Sequence, residues 1–229
     1  MSAARLAIVS RNSLTYHEGT ARALRERFRT AGVFVASVVS SSGAGKTTLF
    51  ERTFDALLPV YQLAAVVADP ATDRDARRLA RRHAAVKQIT TGAASALDAG
   101  MVERVIDGWD LQDLDFLLIE NVGSLVGTSS YDLGEDLRIV LVSLTEGEDT
   151  PLKYPAAFQQ ADAAVITKMD LADAADFNGD ALHRNIEAVR PNVPIFEVSA
   201  KTGLGMRDYL TFLETRRLER TLDGLGVAE

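Results

Sequence analysis

The chain has 229 residues, with 25 Lys plus Arg against 32 Asp plus Glu, a formal charge of −7. Its 47 % hydrophobic and 25 % charged content is ordinary for a globular domain and excludes disordered and collagen-like classes. There is no cysteine, which removes disulfides, thiolate catalysis and iron–sulfur clusters. The acidic balance argues against nucleic acid as a partner.

Apolar runs alternate with amphipathic stretches along the chain. Runs at Val33–Val39, Leu63–Ala68, Phe116–Ile119, Leu137–Leu144, Ala163–Ile166 and Ile195–Val198 are short, β-rich and predominantly apolar. That suits strands buried on both faces of a parallel sheet. Leu6–Ser10 is read as a further candidate strand. Helical spacing marks Glu18–Phe28, Lys46–Leu57, Asp73–His83, Leu97–Ile106, Ala181–Val189 and Met206–Leu222. The expectation is an α/β fold, a P-loop NTPase domain with a mostly parallel sheet and helices on both faces. It divides into an N-terminal helical extension over 1–32 and the domain over 33–229. In such sheets ligands bind beyond the carboxyl ends of the strands. No run reaches the roughly 18 apolar residues of a membrane span, and no secretory signal is visible, so the expected location is the cytoplasm, without a membrane partner.

The first run leads into Ser40-Ser41-Ser42-Gly43-Ala44-Gly45-Lys46-Thr47-Thr48, nearly G-x-x-x-x-G-K-[ST] with Ser40 in place of the first glycine. Amides of Ser42, Gly43, Ala44, Gly45 and Lys46 would form an anion nest at a helix start. Lys46 is expected on the β- and γ-phosphates, Thr47 on Mg²⁺ and Thr48 on the α-phosphate. This loop alone does not separate kinase, ATPase and GTPase.

Two strand-end carboxylates, Asp69 and Glu120, are candidate Mg²⁺ partners beside Thr47. Gly123 is placed to sense a γ-phosphate. Asp73 and Asp75 read either as helix N-terminal carboxylates or as groups orienting the attacking water. The catalytic candidates are thus Lys46, Asp69, Asp75 and Glu120.

Thr167-Lys168-Met169-Asp170 is similar to the guanine-reading motif Asn-Lys-x-Asp, with Thr167 in the Asn position. The two oxygens of Asp170 can accept from guanine N1–H and the exocyclic amine, whereas adenine would leave that carboxylate unpaired. The Lys168 stem would cover the purine face. Ser199-Ala200-Lys201 follows as the second base loop, offering an amide to the guanine oxygen.

Taken together, these segments resemble the HypB-type hydrogenase nickel-incorporation GTPases of the SIMIBI class, from about Phe34 to Leu213. The resemblance also covers Asp69 to Ala76, Ile89-Thr90-Thr91-Gly92, Leu97-Asp98-Ala99, Glu120-Asn121-Val122-Gly123 and Asp132-Leu133-Gly134-Glu135. Its most specific part is Thr145-Glu146-Gly147-Glu148-Asp149-Thr150-Pro151-Leu152-Lys153-Tyr154-Pro155. It implies a slow GTPase using GTP/GDP and Mg²⁺. It further implies a GTP-dependent homodimer that works with a partner protein in maturation of a nickel enzyme. Lys153 matches the family residue at the dimer interface that communicates with the nucleotide; by itself it reads equally as a solvated loop lysine. The family's Cys-His pair and second Cys correspond to Ser95, Ala96 and Gly127 here, which lack thiolate and imidazole donors. No nickel or zinc site is therefore expected, and His17, His83 and His183 read as surface or packing histidines. Tyr16–Phe28 is a candidate partner-binding helix. Alternative readings are a nucleotide-dependent assembly module with negligible hydrolysis, or a small-molecule P-loop kinase.

Overall fold

The computed structural model describes residues 2–224 apart from 83, 95, 128–130 and 176, with side chains from 17 onward. Seven strands form one sheet: β1 Phe34–Ser40, β2 Leu63–Asp69, β3 Ala85–Thr90, β4 Phe116–Gly123, β5 Leu137–Ser143, β6 Ala163–Thr167 and β7 Ile195–Glu197. Their order is β3-β2-β4-β1-β5-β6-β7, and every pairing is parallel. The helices are α1 Ser2–Ala31, α2 Lys46–Leu57, α3 Arg74–Ala80, α4 Ala99–Ile106, α5 Thr150–Lys153, α6 Pro155–Gln159, α7 Gly179–Val189 and α8 Met206–Gly224. No helix among the described residues is long and apolar enough to cross a membrane.

Strand alternation sorts the core onto two faces. Phe34, Ala36 and Val38 of β1 pack with Phe50 and Phe54 of α2 and Tyr209 and Leu213 of α8. Val35 faces the other way, among Leu24 and Phe28 of α1 and Val102 and Ile106 of α4. Val39, on that same second face, joins a separate cluster with Phe158 of α6 and Leu182 and Ile186 of α7. Between these two clusters alternation puts Ser37 and Arg138, and the gap is polar. The Arg138 guanidinium donates to Glu135 at 2.7 Å, Ser37 Oγ donates to the same carboxylate at 3.0 Å, and the Leu133 amide donates to its second oxygen at 2.7 Å. A buried ion pair with its remaining sites hydrogen-bonded is the form in which burial is tolerated. It also explains the segment Asp132-Leu133-Gly134-Glu135, since Asp132 reaches Arg25 of α1 at 2.6 Å.

Several expectations are corrected. Leu6–Ser10 lies within helix α1, not in a strand. The face of α1 carrying Ala21, Leu24 and Phe28 is taken by the core, so it is not available to a partner. The strand read as ending at Ile119 runs on to Gly123, carrying Glu120 and Asn121 inside it as buried polar residues. β3 was not anticipated: Lys87 and Gln88 break the apolar run of an edge strand that is nowhere fully buried. Lys87 is accommodated over the Trp109 ring at 4.8 Å. On α8 only Met206, Tyr209 and Leu213 are buried, while Leu218 and Leu222 are exposed.

Gly134 has φ +79°, and a Cβ there would lie 2.9 Å from the Ala21 carbonyl oxygen and the Arg25 amide nitrogen. Both the turn and the docking of α1 require its bare backbone. We predict that Gly134→Ala destabilises the protein by about 2–3 kcal/mol in urea unfolding. Wild-type stability in that variant would show that α1 docks elsewhere.

Candidate functional site

At the carboxyl edge, where β1 lies between β4 and β5 and the strand order reverses, the loop after β1 opens a cavity of 390 Å³. The predicted residues Ser42, Gly43, Gly45, Lys46, Thr47, Thr48, Asp69, Asp75, Glu120 and Gly123 line it. Ala68, Arg74, Arg78 and Asn121 complete the wall. Gly43 and Gly45 have φ of +78° and +102°, the alternation that turns successive amides toward one point. Gly45 immediately precedes α2, so its amide field adds to the helix N-terminus. Ala44 stands behind the loop, fully buried.

Lys46 is buried, and its Nζ donates to Ser40 Oγ at 2.8 Å and to the Ser41 carbonyl at 3.3 Å. Ser40, the departure from the usual glycine, therefore supplies an acceptor for a buried ammonium. Thr47 Oγ1 donates to Glu120 Oε1 at 2.8 Å, while Glu120 Oε2 is buried with no hydrogen-bond partner. Alternation along β4 directs Glu120 to the α2 side of the sheet. Burial raises its pKa from 4.5 to about 7, against the opposing pull of Lys46 and of the Thr47 hydrogen bond. Burial also lowers the pKa of Lys46, opposed by Glu120 and Asp75. For both groups the loss of solvation outweighs the nearby opposite charge, a condition that perturbed functional groups share.

Asp69 ends β2. Burial pushes its pKa up, but the amides of Thr72 and Ala71 at 2.5 and 2.9 Å outweigh this and hold the carboxyl below its ordinary value. One of its oxygens is thereby committed to the loop. Asp75, in the first turn of α3, contacts Arg78 at 3.4 Å. Arg78 in turn donates to Glu51 at 2.5 Å and to Thr48 Oγ1 at 3.1 Å. This arginine ties α3 to the phosphate loop and was not singled out from sequence; its spacing three residues after Asp75 on one helix face was the available signal. Asp73 lies outside the cavity wall, paired with Arg77. Gly123 abuts the loop, since a Cβ would fall 2.9 Å from Ser42 Cα. Asn121, buried on the opposite side of β4 from Glu120, accepts from the amides of Leu97 and Val122.

The second predicted group gathers beyond β6 and β7. Thr167 Oγ1 is buried and donates to the Ala44 carbonyl at 2.6 Å, joining this region to the phosphate loop. Lys168 adopts φ +64°, uncommon for a residue with a side chain. Asp170 Oδ1 accepts from Ser199 Oγ at 2.7 Å, and its Oδ2 lies 3.7 Å from Lys201 Nζ. The Ser199 hydrogen bond holds the Asp170 pKa below its ordinary value. Ala200 sits in the turn between Ser199 and Lys201, its carbonyl accepting from Arg52. None of these residues lines the 390 Å³ cavity. Lys153 is exposed on α5, away from that wall, and pairs with Asp149 at 2.8 Å.

Of the residues that the resemblance set against a Cys/His site, Ala96 is buried and Gly127 lies in a turn after β4; Ser95 lies outside the described residues, as does His83. His17 packs edge-on to Tyr131, and His183 contacts Glu197 at 2.9 Å.

Comparison with known proteins agrees with this arrangement. The family described as CobW/HypB/UreG, nucleotide-binding domain, matches residues 34–197. The hydrogenase/urease maturation factor HypB of Helicobacter pylori (strain ATCC 700392 / 26695) is 38 % identical over 216 residues, 93 % of this chain and 86 % of that protein. The crystal structure of HypB from Helicobacter pylori in complex with nickel superposes with a TM-score of 0.85 at 37 % identity, covering 90 % of this chain and 97 % of that one. HypB from Archaeoglobus fulgidus gives 0.83 at 33 % identity, covering 89 % and 99 %. The chain belongs to the CobW/HypB/UreG family of nucleotide-binding domains, on its HypB side.

Proposed function

We propose that this protein is a GTPase that binds guanosine triphosphate with Mg²⁺, hydrolyses it slowly, and acts as a switch in maturation of a nickel enzyme. One observation carries the reading: a cavity holding a nest of amides, a buried ammonium and a buried unpartnered carboxylate oxygen, linked through Thr167 to a carboxylate set for guanine. A triphosphate supplies the negative charge that Lys46 and the amides lack. The donor set fits Mg²⁺ as well, because Thr47 and Glu120 bring hydroxyl and carboxylate oxygens together and Glu120 Oε2 has no other partner. When bound, the ion neutralises charge on the β- and γ-phosphates.

In the hydrolysis, water oxygen attacks the γ-phosphorus and the bond from that phosphorus to the β–γ bridging oxygen breaks. Inorganic phosphate and GDP result. Lys46 and the amides stabilise the leaving oxygens, and Asp75 or the free oxygen of Asp69 orients the water. Thr48 faces the α-phosphate. Gly123, against Ser42, registers the γ-phosphate by its amide. Asp170 reads the guanine edge, Lys168 covers the ring, and the amides beside Ser199, Ala200 and Lys201 meet the 6-oxo group. GTP favours a homodimer through the face that carries exposed Leu152, Lys153 and Tyr154. The domain spans 33–229 with 1–32 as an extension docked on it, and the protein works in the cytoplasm with a maturation partner. Metal cargo is held by that partner, because Ala96 and Gly127 have no donor side chain and Ser95 offers only a hydroxyl.

Single-turnover assays with labelled GTP and Mg²⁺ test the hydrolysis. We expect slow phosphate release, with Lys46→Ala weakening GTP binding by roughly 100-fold. Tight binding with no release over hours would favour an assembly module that responds to occupancy alone. The raised pKa of Glu120 makes a second prediction. The folded state binds this proton more tightly than the unfolded chain, so its contribution to nucleotide-free stability falls as pH rises from 4.5 to about 7. Glu120→Gln should flatten that slope, and should abolish the gain in Mg²⁺-dependent GTP affinity that wild type shows over the same window. Parallel pH profiles in the two proteins would remove Glu120 from the Mg²⁺ site. Equilibrium dialysis of the GTP-loaded protein against Ni²⁺ should show no sub-micromolar site; tight binding of one ion per dimer would overturn the assignment of cargo to the partner.

A further inference from the structure

We propose that Arg52 of α2 is a positioning residue for recognition of the guanine 6-oxo group. The inference rests on the guanine-nucleotide reading and adds to it the device that orients the second base loop. Arg52 stands on the exposed side of α2, whose other side buries Leu49, Phe50, Thr53 and Phe54. Its guanidinium leaves its own helix and grips two successive carbonyls of the loop after β7. Nε donates to the Ala200 oxygen at 2.5 Å and Nη2 donates to the Lys201 oxygen at 2.9 Å. A planar fork with donors at fixed spacing suits two adjacent acceptors, and its charge strengthens both bonds.

The rest of the loop is tied in the same sense. The Ser199 carbonyl accepts from the Gly203 amide at 2.8 Å, and the Thr202 amide donates to Ser199 Oγ at 3.2 Å. Three consecutive carbonyls, Ser199, Ala200 and Lys201, are therefore held in place. The chain has no cis peptide among its described residues. In a trans peptide the carbonyl and the following N–H point in opposite directions. Arg52, by fixing the Ala200 carbonyl, fixes the direction of the Lys201 amide, while the Gly203 amide, by fixing the Ser199 carbonyl, does the same for the Ala200 amide. Those are the amides a base oxygen would meet, next to Asp170, whose Oδ1 already accepts from Ser199. The positive charge on the carbonyl side also polarises the peptide and makes its N–H a better donor. Arg52 acts through the loop and touches no substrate itself. It connects the base loop to the helix whose first two residues, Lys46 and Thr47, serve the phosphates.

The test compares GDP, inosine diphosphate and inorganic tripolyphosphate, each with Mg²⁺, on wild type, Arg52→Ala and Arg52→Gln by calorimetry. Inosine keeps the 6-oxo group and lacks the amine that Asp170 reads, and tripolyphosphate has no base. Both variants should lose about tenfold in affinity for GDP and for inosine diphosphate, and hold tripolyphosphate within about twofold of wild type. A purely structural role would instead lower all three together, and that outcome, or unchanged GDP binding, overturns the proposal. Loss confined to GDP would assign the effect to the amine side and likewise overturn it. Failure of wild type to bind GDP would strike the guanine reading itself, before any variant is compared.

Discussion

The site depends on one electrostatic constraint: Lys46 and Glu120 sit buried where β1 and β4 end, and one Glu120 oxygen has no hydrogen-bond partner in the protein. Burying an ammonium and a carboxylate is costly unless each finds partners. Here the ammonium leans on Ser40 and a carbonyl, while one Glu120 oxygen has none. The sheet makes this arrangement rigid, because β1 is flanked by β4 and β5 and all three are buried on both faces. Such a site gains most from a ligand that brings both negative charge and a cation, which is what a magnesium-bound triphosphate offers.

The strands that form the centre of the sheet were legible because apolar residues dominate both of their faces, a pattern that suits two-sided burial. The cavity was legible because the phosphate loop is local in sequence and its two glycines do work no other residue type does as easily. What escaped reading was long-range. β3 carries Lys87 and Gln88 and was not identified as a strand, yet it is an ordinary half-exposed edge. Pro151 and Pro155 disguised two short helices, although each proline sits in a first turn, where it lacks only an amide that has no helical partner. Asn121 and Arg52 act on residues 24 and 148 positions away, and no spacing rule reaches across such separations. The part Ser40 plays as the Lys46 acceptor also had no signal in the motif.

The chain shares fold and nucleotide-loop architecture with HypB proteins along nearly its whole length. Ala96 is buried beside Leu97, whose amide is held by Asn121. The tie connects β4 to the segment before α4.

The most direct measurement is the nucleotide preference of wild type and Asp170→Asn, with GTP and xanthosine triphosphate compared in Mg²⁺. Xanthine presents an oxygen acceptor where guanine presents its amine, so the amide in the variant should favour xanthosine triphosphate while wild type favours GTP. An unchanged preference for GTP in Asp170→Asn would mean that another group reads the base, and would contradict the account.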